Sequence, residues 1–151
     1  MIRSRTTHAR LWRDRRGAAA VEFAAVLGPL LILIFGVFEY GRLLWTREAL
    51  QETATAGARC MGMSATACAS GGAYSSGNAT TYIEGQATNW GLTLTASNIA
   101  LDNATTCAGV SAPNGFSSVT ITYTFQSIVP SLITSLNTSP TLTSVACFPN
   151  Y

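Results

Sequence analysis

From Phe23 to Phe38 the chain reads FAAVLGPLLILIFGVF without a charge. With the alanines before it and Gly41 to Trp45 after it, the stretch Ala18–Trp45 approaches the ~20 apolar residues that a helix needs to cross a bilayer core. Glu22 stands just inside its near end and Glu39 marks its far end. All six arginines of the first sixteen residues lie on the near side. The segment therefore has a charged flank, an acid at a defined depth and a direction.

Charge and cysteine placement agree with that direction. Residues 1–17 carry six arginines against Asp14, a balance of +5, whereas the remainder carries three arginines against six acids, a balance of −3. The arginine arm reads as a cytoplasmic flank, and the main body offers no basic face for nucleic acid. Removing the arm and the apolar helix leaves on the order of ninety residues, enough for one small exported domain. All four cysteines, Cys60, Cys68, Cys107 and Cys147, fall after the apolar segment. An even number in an exported body suggests two disulfides. Their spacings of 8, 39 and 40 residues and the lack of any histidine except His8 argue against a zinc site.

The junction before the apolar run is unlike a secretory signal. Its small residues, Gly17 to Ala20, precede the apolar core, whereas a signal peptide places its small-residue cleavage site after one. Either the chain keeps its anchor or it is cut on the cytoplasmic side. Glu22 needs a partner, because an unpaired carboxylate in an apolar transmembrane helix costs ~2.5–3.5 kcal/mol on insertion scales. A cut after Gly17 would supply an α-amino group; headgroups with Arg15 or Arg16 are the other source of solvation. Gly28-Pro29 is expected to kink the helix, since proline withholds an N–H and crowds the preceding turn, although membrane helices tolerate this. Beyond the apolar run Leu43, Leu50, Ala54, Gly57, Ala58 and Met61 recur near helical spacing, with Arg47, Glu48, Gln51, Glu52 and Thr55 on the other faces. A helix from Ala18 to Arg59 would be ~60 Å long, about twice the hydrocarbon thickness, so half of it should stand outside.

The run RRGAAAVEFAAVLGPLLILIFGVFEYGRLLWTREALQETATAGAR resembles the N-terminal region of the TadE-like family, the minor pseudopilins of tight-adherence (type IVc) pilus systems. The residues that carry the resemblance are Gly17, four small or aliphatic residues, Glu22-Phe23, and an apolar helix ending in FEYGRLL. The resemblance implies cleavage by a prepilin peptidase between Gly17 and Ala18, with Glu22 as the fifth mature residue and Glu22 and Phe23 serving processing and assembly. It implies as partners the membrane, that peptidase, other pilins or pseudopilins and the Tad assembly machinery, and a place in the bacterial inner membrane with the N-terminus cytoplasmic and the body periplasmic. Assembly could carry the subunit on to a surface pilus.

The expected fold is α+β and pilin-like, with one long N-terminal transmembrane and stalk helix packed on a small antiparallel sheet of about three strands. The expected divisions are a leader over 1–17, the helix over 18–60 and a β-rich domain over 61–151. Within the last, Cys60–Gly77 reads as an exposed loop and Asn78–Trp90 as a short helix. LTLTASNIALD (92–102) is rich in β-formers. Val119, Ile121, Tyr123 and Phe125 alternate strictly with polar residues, the best strand signal in the chain. Pro130 closes that run, Leu132, Ile133 and Leu136 suggest a helical turn, and TLTSVACFP (141–149) is a final extended run. Sequence proximity favours Cys60 with Cys68, leaving Cys107 with Cys147, but four cysteines permit three connectivities.

Catalytic chemistry has little to draw on. Beyond the stalk only Glu84 and Asp102 carry acids, there is no lysine, and no GxSxG, HExxH or phosphate-binding glycine loop occurs. No cofactor is expected. The sequons at Asn78, Asn103 and Asn137 read as turns, and most of the later aromatics as core. The function expected is a structural minor pseudopilin; the alternative is an uncleaved single-span protein with an exported binding domain.

Overall fold

The computed structural model describes residues 17–127 and 140–151. The arginine arm before Gly17, and Pro130, Leu132, Ile133, Leu136 and Asn137, lie outside the described residues. The chain divides into two units, one ending at Tyr40 and one running from Gly41 to Tyr151. Its elements are α1 (Ala18–Gly62), a short hairpin of β1 (Ala69–Ser70) and β2 (Ala73–Tyr74), α2 (Ser76–Asn89), a 3₁₀ turn (Ala96–Asn98), and β3 (Ile99–Thr105), β4 (Phe116–Thr124) and β5 (Thr141–Pro149). The fold is α+β, with one long apolar N-terminal helix and a three-stranded antiparallel sheet in the order β3-β4-β5.

In the first unit no described residue packs over the large apolar side chains of the helix. Leu30 to Phe35, six consecutive large apolar residues, are all exposed. At 3.6 residues per turn six successive positions point in every direction, so the segment is apolar all round, the pattern of a helix meant for an apolar medium. α1 continues through Gly28 and Pro29 without interruption. Proline leaves the carbonyl of Ala25 without its intrahelical N–H.

In the second unit the same helix changes character. Thr46, Ala49, Leu50, Thr53, Ala54, Gly57, Ala58 and Met61 are buried, and their steps of three and four residues make one stripe. Arg47, Glu48, Gln51, Glu52 and Thr55 are exposed, as their polarity requires. Small side chains dominate the stripe, so α2 and the sheet can approach closely. Gly57 is the tightest place: a Cβ there would lie 2.6 Å from Ile83 of α2 and 3.4 Å from Val119 of β4. Thr46 and Thr55 turn their hydroxyls back to the carbonyls of Arg42 and Gln51 at 2.9 and 2.8 Å. Thr53 Oγ1 is buried without a partner among the described residues.

The sheet covers this stripe with alternate residues. Ser117, Val119 and Ile121 of β4 and Ser144 and Ala146 of β5 point inward, while Val145 and Cys147 face out. β4 pairs with β5 in continuous register from Phe116–Pro149 to Thr124–Thr141. β3 pairs with β4 from Ile99–Ile121 to Asp102–Ser118, then shifts before Thr105–Phe116, an added residue of the kind that makes a bulge. The strict alternation from Val119 to Phe125 marks β4 and the residue just past it.

Three local expectations are corrected. Cys60–Gly77 is not one loop: α1 runs to Gly62, the β1–β2 hairpin follows through Gly71 (φ +62) and Gly72 (φ +83), and α2 starts at Ser76. Two consecutive glycines at positive φ are what a two-residue hairpin turn demands, a meaning hidden in a run that looks only flexible. The LTLT segment before Ala96 is not a strand; Leu92 and Leu94 are buried as a plug in the core, and pairing begins at Ile99. Asn78 and Asn103 are not turns but sit within α2 and β3. Asn78 donates to the Ala69 carbonyl at 2.7 Å, fixing α2 to the hairpin.

α2 ends in a Schellman motif. Gly91, at φ +76, donates to the Thr88 carbonyl at 2.9 Å, and Leu92 donates to the Ala87 carbonyl at 3.0 Å while its side chain enters the core.

The two helix glycines predict opposite effects. Gly57→Ala should destabilise the second unit by about 1–3 kcal/mol, because the buried Ile83 must move. Gly85→Ala, in α2 with open space around it, should stabilise by about 0.5–1 kcal/mol through helix propensity. Denaturant unfolding of both detergent-solubilised full-length variants, followed by near-UV circular dichroism, measures the difference.

Candidate membrane anchor and processing junction

Gly17 immediately precedes α1 and Ala18 opens it. Both are exposed, and a Cβ on Gly17 would meet nothing within 4 Å. The first N–H groups of any helix lack intrahelical acceptors, and the start of α1 carries no acid in its first turn. Glu22 is four residues after Ala18, which puts the two on one face of the helix, one turn apart. A carboxylate there lies near the positive end of the helix dipole, a favourable position. Glu22 is exposed, and Phe23 next to it is 66% exposed.

Downstream of this junction α1 is long and apolar enough to cross a membrane, and none of its most apolar eighteen-residue window is buried. Glu39 is half-buried at the far end of the apolar run. Gly28, beside Pro29, has no atom within 4 Å of a would-be Cβ. Gly17, just before α1, and Ala18, Glu22, Phe23, Gly28 and Pro29, within it, thus all lie in the first unit, at and along the apolar part of the helix.

The cysteines lie in the second unit. Cys60 is bonded to Cys68, with Cα atoms 5.9 Å apart, and Cys107 to Cys147, with Cα atoms 6.3 Å apart. The first bridge ties the end of α1 to the segment entering the hairpin, and both of its cysteines are buried. The second lies on the outer side of the sheet, where Cys147 faces out. Its other half, Cys107, starts a tight turn in which Ala108 (φ 51) and Gly109 (φ 78) are both left-handed and Val110 donates back to the Cys107 carbonyl at 2.8 Å. That is the geometry of a type I′ turn.

Among the described residues of the second unit, no three His, Cys, Asp and Glu side chains cluster as metal ligands would. Burial, and secondarily the charge of Asp102, raises the Tyr74 phenol above its ordinary 10.0, so it is a neutral hydroxyl under physiological conditions. A half-open groove of about 440 Å³ beside α1 has Glu52, Arg59 and Tyr82 as its ionisable side chains. Its cysteine, Cys60, is held in the disulfide.

Three arrangements escape sequence reasoning. Trp45 and Trp90 meet edge to face with centroids 5.5 Å apart. The Arg42 guanidinium lies 5.1 Å from the centre of the Phe125 ring. Buried Ser117 lies between Asn103 and Asn150, at 2.6 and 2.7 Å from their amide oxygens. One hydroxyl has one proton. The NH₂ of Asn150 is already committed to the carbonyls of Asn103 and Asn114 at 2.8 and 3.0 Å. Ser117 therefore donates to Asn150, and the Asn103 amide turns its NH₂ to Ser117. No spacing rule links residues this far apart.

Among known proteins, residues 17–59 match the family model described as TadE-like protein. The match covers α1 from before its first residue to Arg59, and the hairpin, α2 and the sheet lie outside it. No curated protein and no solved structure matches the chain.

The disulfides should contribute unequally. In the chain-entropy account, removing Cys107–Cys147 by paired serine substitution costs about 4 kcal/mol and removing Cys60–Cys68 about 2.5 kcal/mol, because the first closes the longer loop. Denaturant midpoints of the two double variants, beside the intact chain, test this order.

Proposed function

We propose that this chain, TadE-like from Gly17 to Arg59, is a minor pseudopilin of a tight-adherence pilus system: a structural subunit, not an enzyme, processed by a prepilin peptidase and contributing to pilus assembly and surface adherence. The observation that carries the reading is the junction itself. A glycine stands at the mouth of the helix, a carboxylate follows one turn into it, and an exposed apolar helix able to span a bilayer continues from there.

Each part has a physical task. Cleavage after Gly17 leaves a cationic amino group on Ala18. That group is unfavourable at the positive end of a helix dipole unless an anion accompanies it, and Glu22 stands on the same face. In a bundle of such helices the Glu22 carboxylate of one subunit can equally meet the amino group of a neighbour. Shielding from water strengthens either pairing. The apolar surface, covered by lipid before assembly, would be covered by other pilin helices after it. The body would be carried outside the cytoplasmic membrane, where disulfides persist.

The intact mass and N-terminal sequence of the protein from its native membrane, without reduction, test processing. The expected chain begins at Ala18 and is lighter by residues 1–17 and by the four hydrogens lost to two disulfides. A chain beginning at Met1 in a host with an active prepilin peptidase would instead favour an uncleaved, anchored binding protein. Glu22→Ala should still insert into the membrane, since it removes a charge that costs free energy on insertion, less near a helix end than the ~2.5–3.5 kcal/mol at its centre, yet fail to support pilus assembly. Normal piliation and adherence in that variant would sink the assigned role of Glu22.

A further inference from the structure

The two indoles near the start of the second unit are amphipathic, adjoining and open to solvent. Trp45 is 59% exposed and Trp90 39% exposed despite their mutual contact. They come from separate elements. Trp45 belongs to α1, whereas Trp90 is the residue at which α2 stops, held by its N–H to the Ala87 carbonyl at 3.0 Å and followed by the left-handed Gly91. Tryptophan combines an apolar body with one N–H donor, the chemistry enriched where a bilayer meets water.

We propose that the Trp45–Trp90 pair is a lipid-contacting surface that seats the second unit in the headgroup layer on the side where α1 leaves the membrane. The proposal rests on the anchor reading above. Its first support is the order of residues along one face of α1. Phe38, Gly41, Trp45, Glu48 and Glu52 follow at steps of three and four, so they share a face and read from apolar through aromatic to acidic. Its second support is depth. Twenty residues from Val21, the length of a hydrocarbon crossing, end at Tyr40. Trp45 comes five residues later, about 7.5 Å along a helix, and helical side chains lean toward the N-terminus, here toward the bilayer. That reach falls in the headgroup layer, which is about 5–7 Å thick on each side.

The rival occupant of the same surface is a neighbouring subunit, and depth-resolved fluorescence quenching separates the two. The full-length chain carries Trp12→Phe, and either Trp90→Phe or Trp45→Phe leaves one reporter. It is reconstituted at low protein density into phosphatidylcholine–phosphatidylglycerol vesicles brominated at either shallow or deep acyl positions. Flotation after alkaline carbonate extraction reports the anchor independently. The expected result is carbonate-resistant flotation, with each indole losing about half its emission to shallow bromines and clearly less to deep ones, as for interfacial tryptophans. Flotation without quenching overturns the lipid contact while leaving the anchor intact. Quenching that vanishes as protein density rises shows subunits displacing lipid and supports the contact; protection that is already complete at the lowest density overturns it. Failure to float overturns the anchor reading and this proposal with it.

Discussion

One helix carries two different surfaces along its length. From Phe23 to Phe38 α1 is apolar in every direction, and from Thr46 to Met61 it is apolar along one narrow stripe of mostly small residues. The first pattern leaves large apolar side chains exposed, and an apolar medium would remove the unfavourable hydration that each retains in water. The second does not suit lipid, because Arg47, Glu48 and Glu52 would carry charge into hydrocarbon. The one pattern gives way to the other between Glu39 and Trp45. The aromatic residues and Arg42 gather at that changeover.

The small residues of the stripe determine what the body can be. Ala49, Ala54, Gly57 and Ala58 offer little apolar area of their own, so the core is completed by what approaches them: Ile83 from α2, Val119 and Ile121 from β4, and Leu92 and Leu94 from the irregular segment between. A core of this size in a domain of about one hundred residues gives only a modest margin against chain entropy. The two disulfides and the Ser117–Asn150–Asn103 network add to that margin at the end of α1 and on the sheet.

Much of this plan was legible, because periodicity survives any tertiary context. The sixteen uncharged residues give the span, the three-and-four spacing from Leu50 to Met61 gives the buried stripe, and Val119 to Phe125 gives the central strand. The β-rich character of 92–102 was misleading in its first half. Leu92 and Leu94 alternate like a strand, yet the Schellman turn at Gly91 directs them into the core before any ladder can form. The β1–β2 hairpin was hidden for another reason: its strands are two residues each, shorter than any pattern a period of two can reveal. At the junction the residue types were readable, while the meeting of Trp45 with Trp90 depended on where α2 stops and could not be read from either position.

The far end of α1 shows how the last carbonyls of a helix can be used to fasten a fold. Tyr151 donates its backbone N–H to the Gly62 carbonyl at 3.1 Å, and Asn150 donates to the Gly115 carbonyl at 3.1 Å. Gly62 must be small for this to happen, since a Cβ there would lie 2.7 Å from the Phe148 ring and 2.8 Å from the Pro149 carbonyl oxygen. Within a few residues of the same point, Cys60 is bonded to Cys68 and Ala65 donates to the Cys60 carbonyl at 3.0 Å. The residues after β5 and those entering β1 are therefore fastened to one helical turn, by covalent bond on one side and by hydrogen bonds and close packing on the other. Opening that turn would therefore disturb both the sheet and the hairpin, which couples the two ends of the second unit. Among the described residues the exposed half of α1 has no such fastening, and it is the part of the helix that is long and apolar enough to cross a membrane.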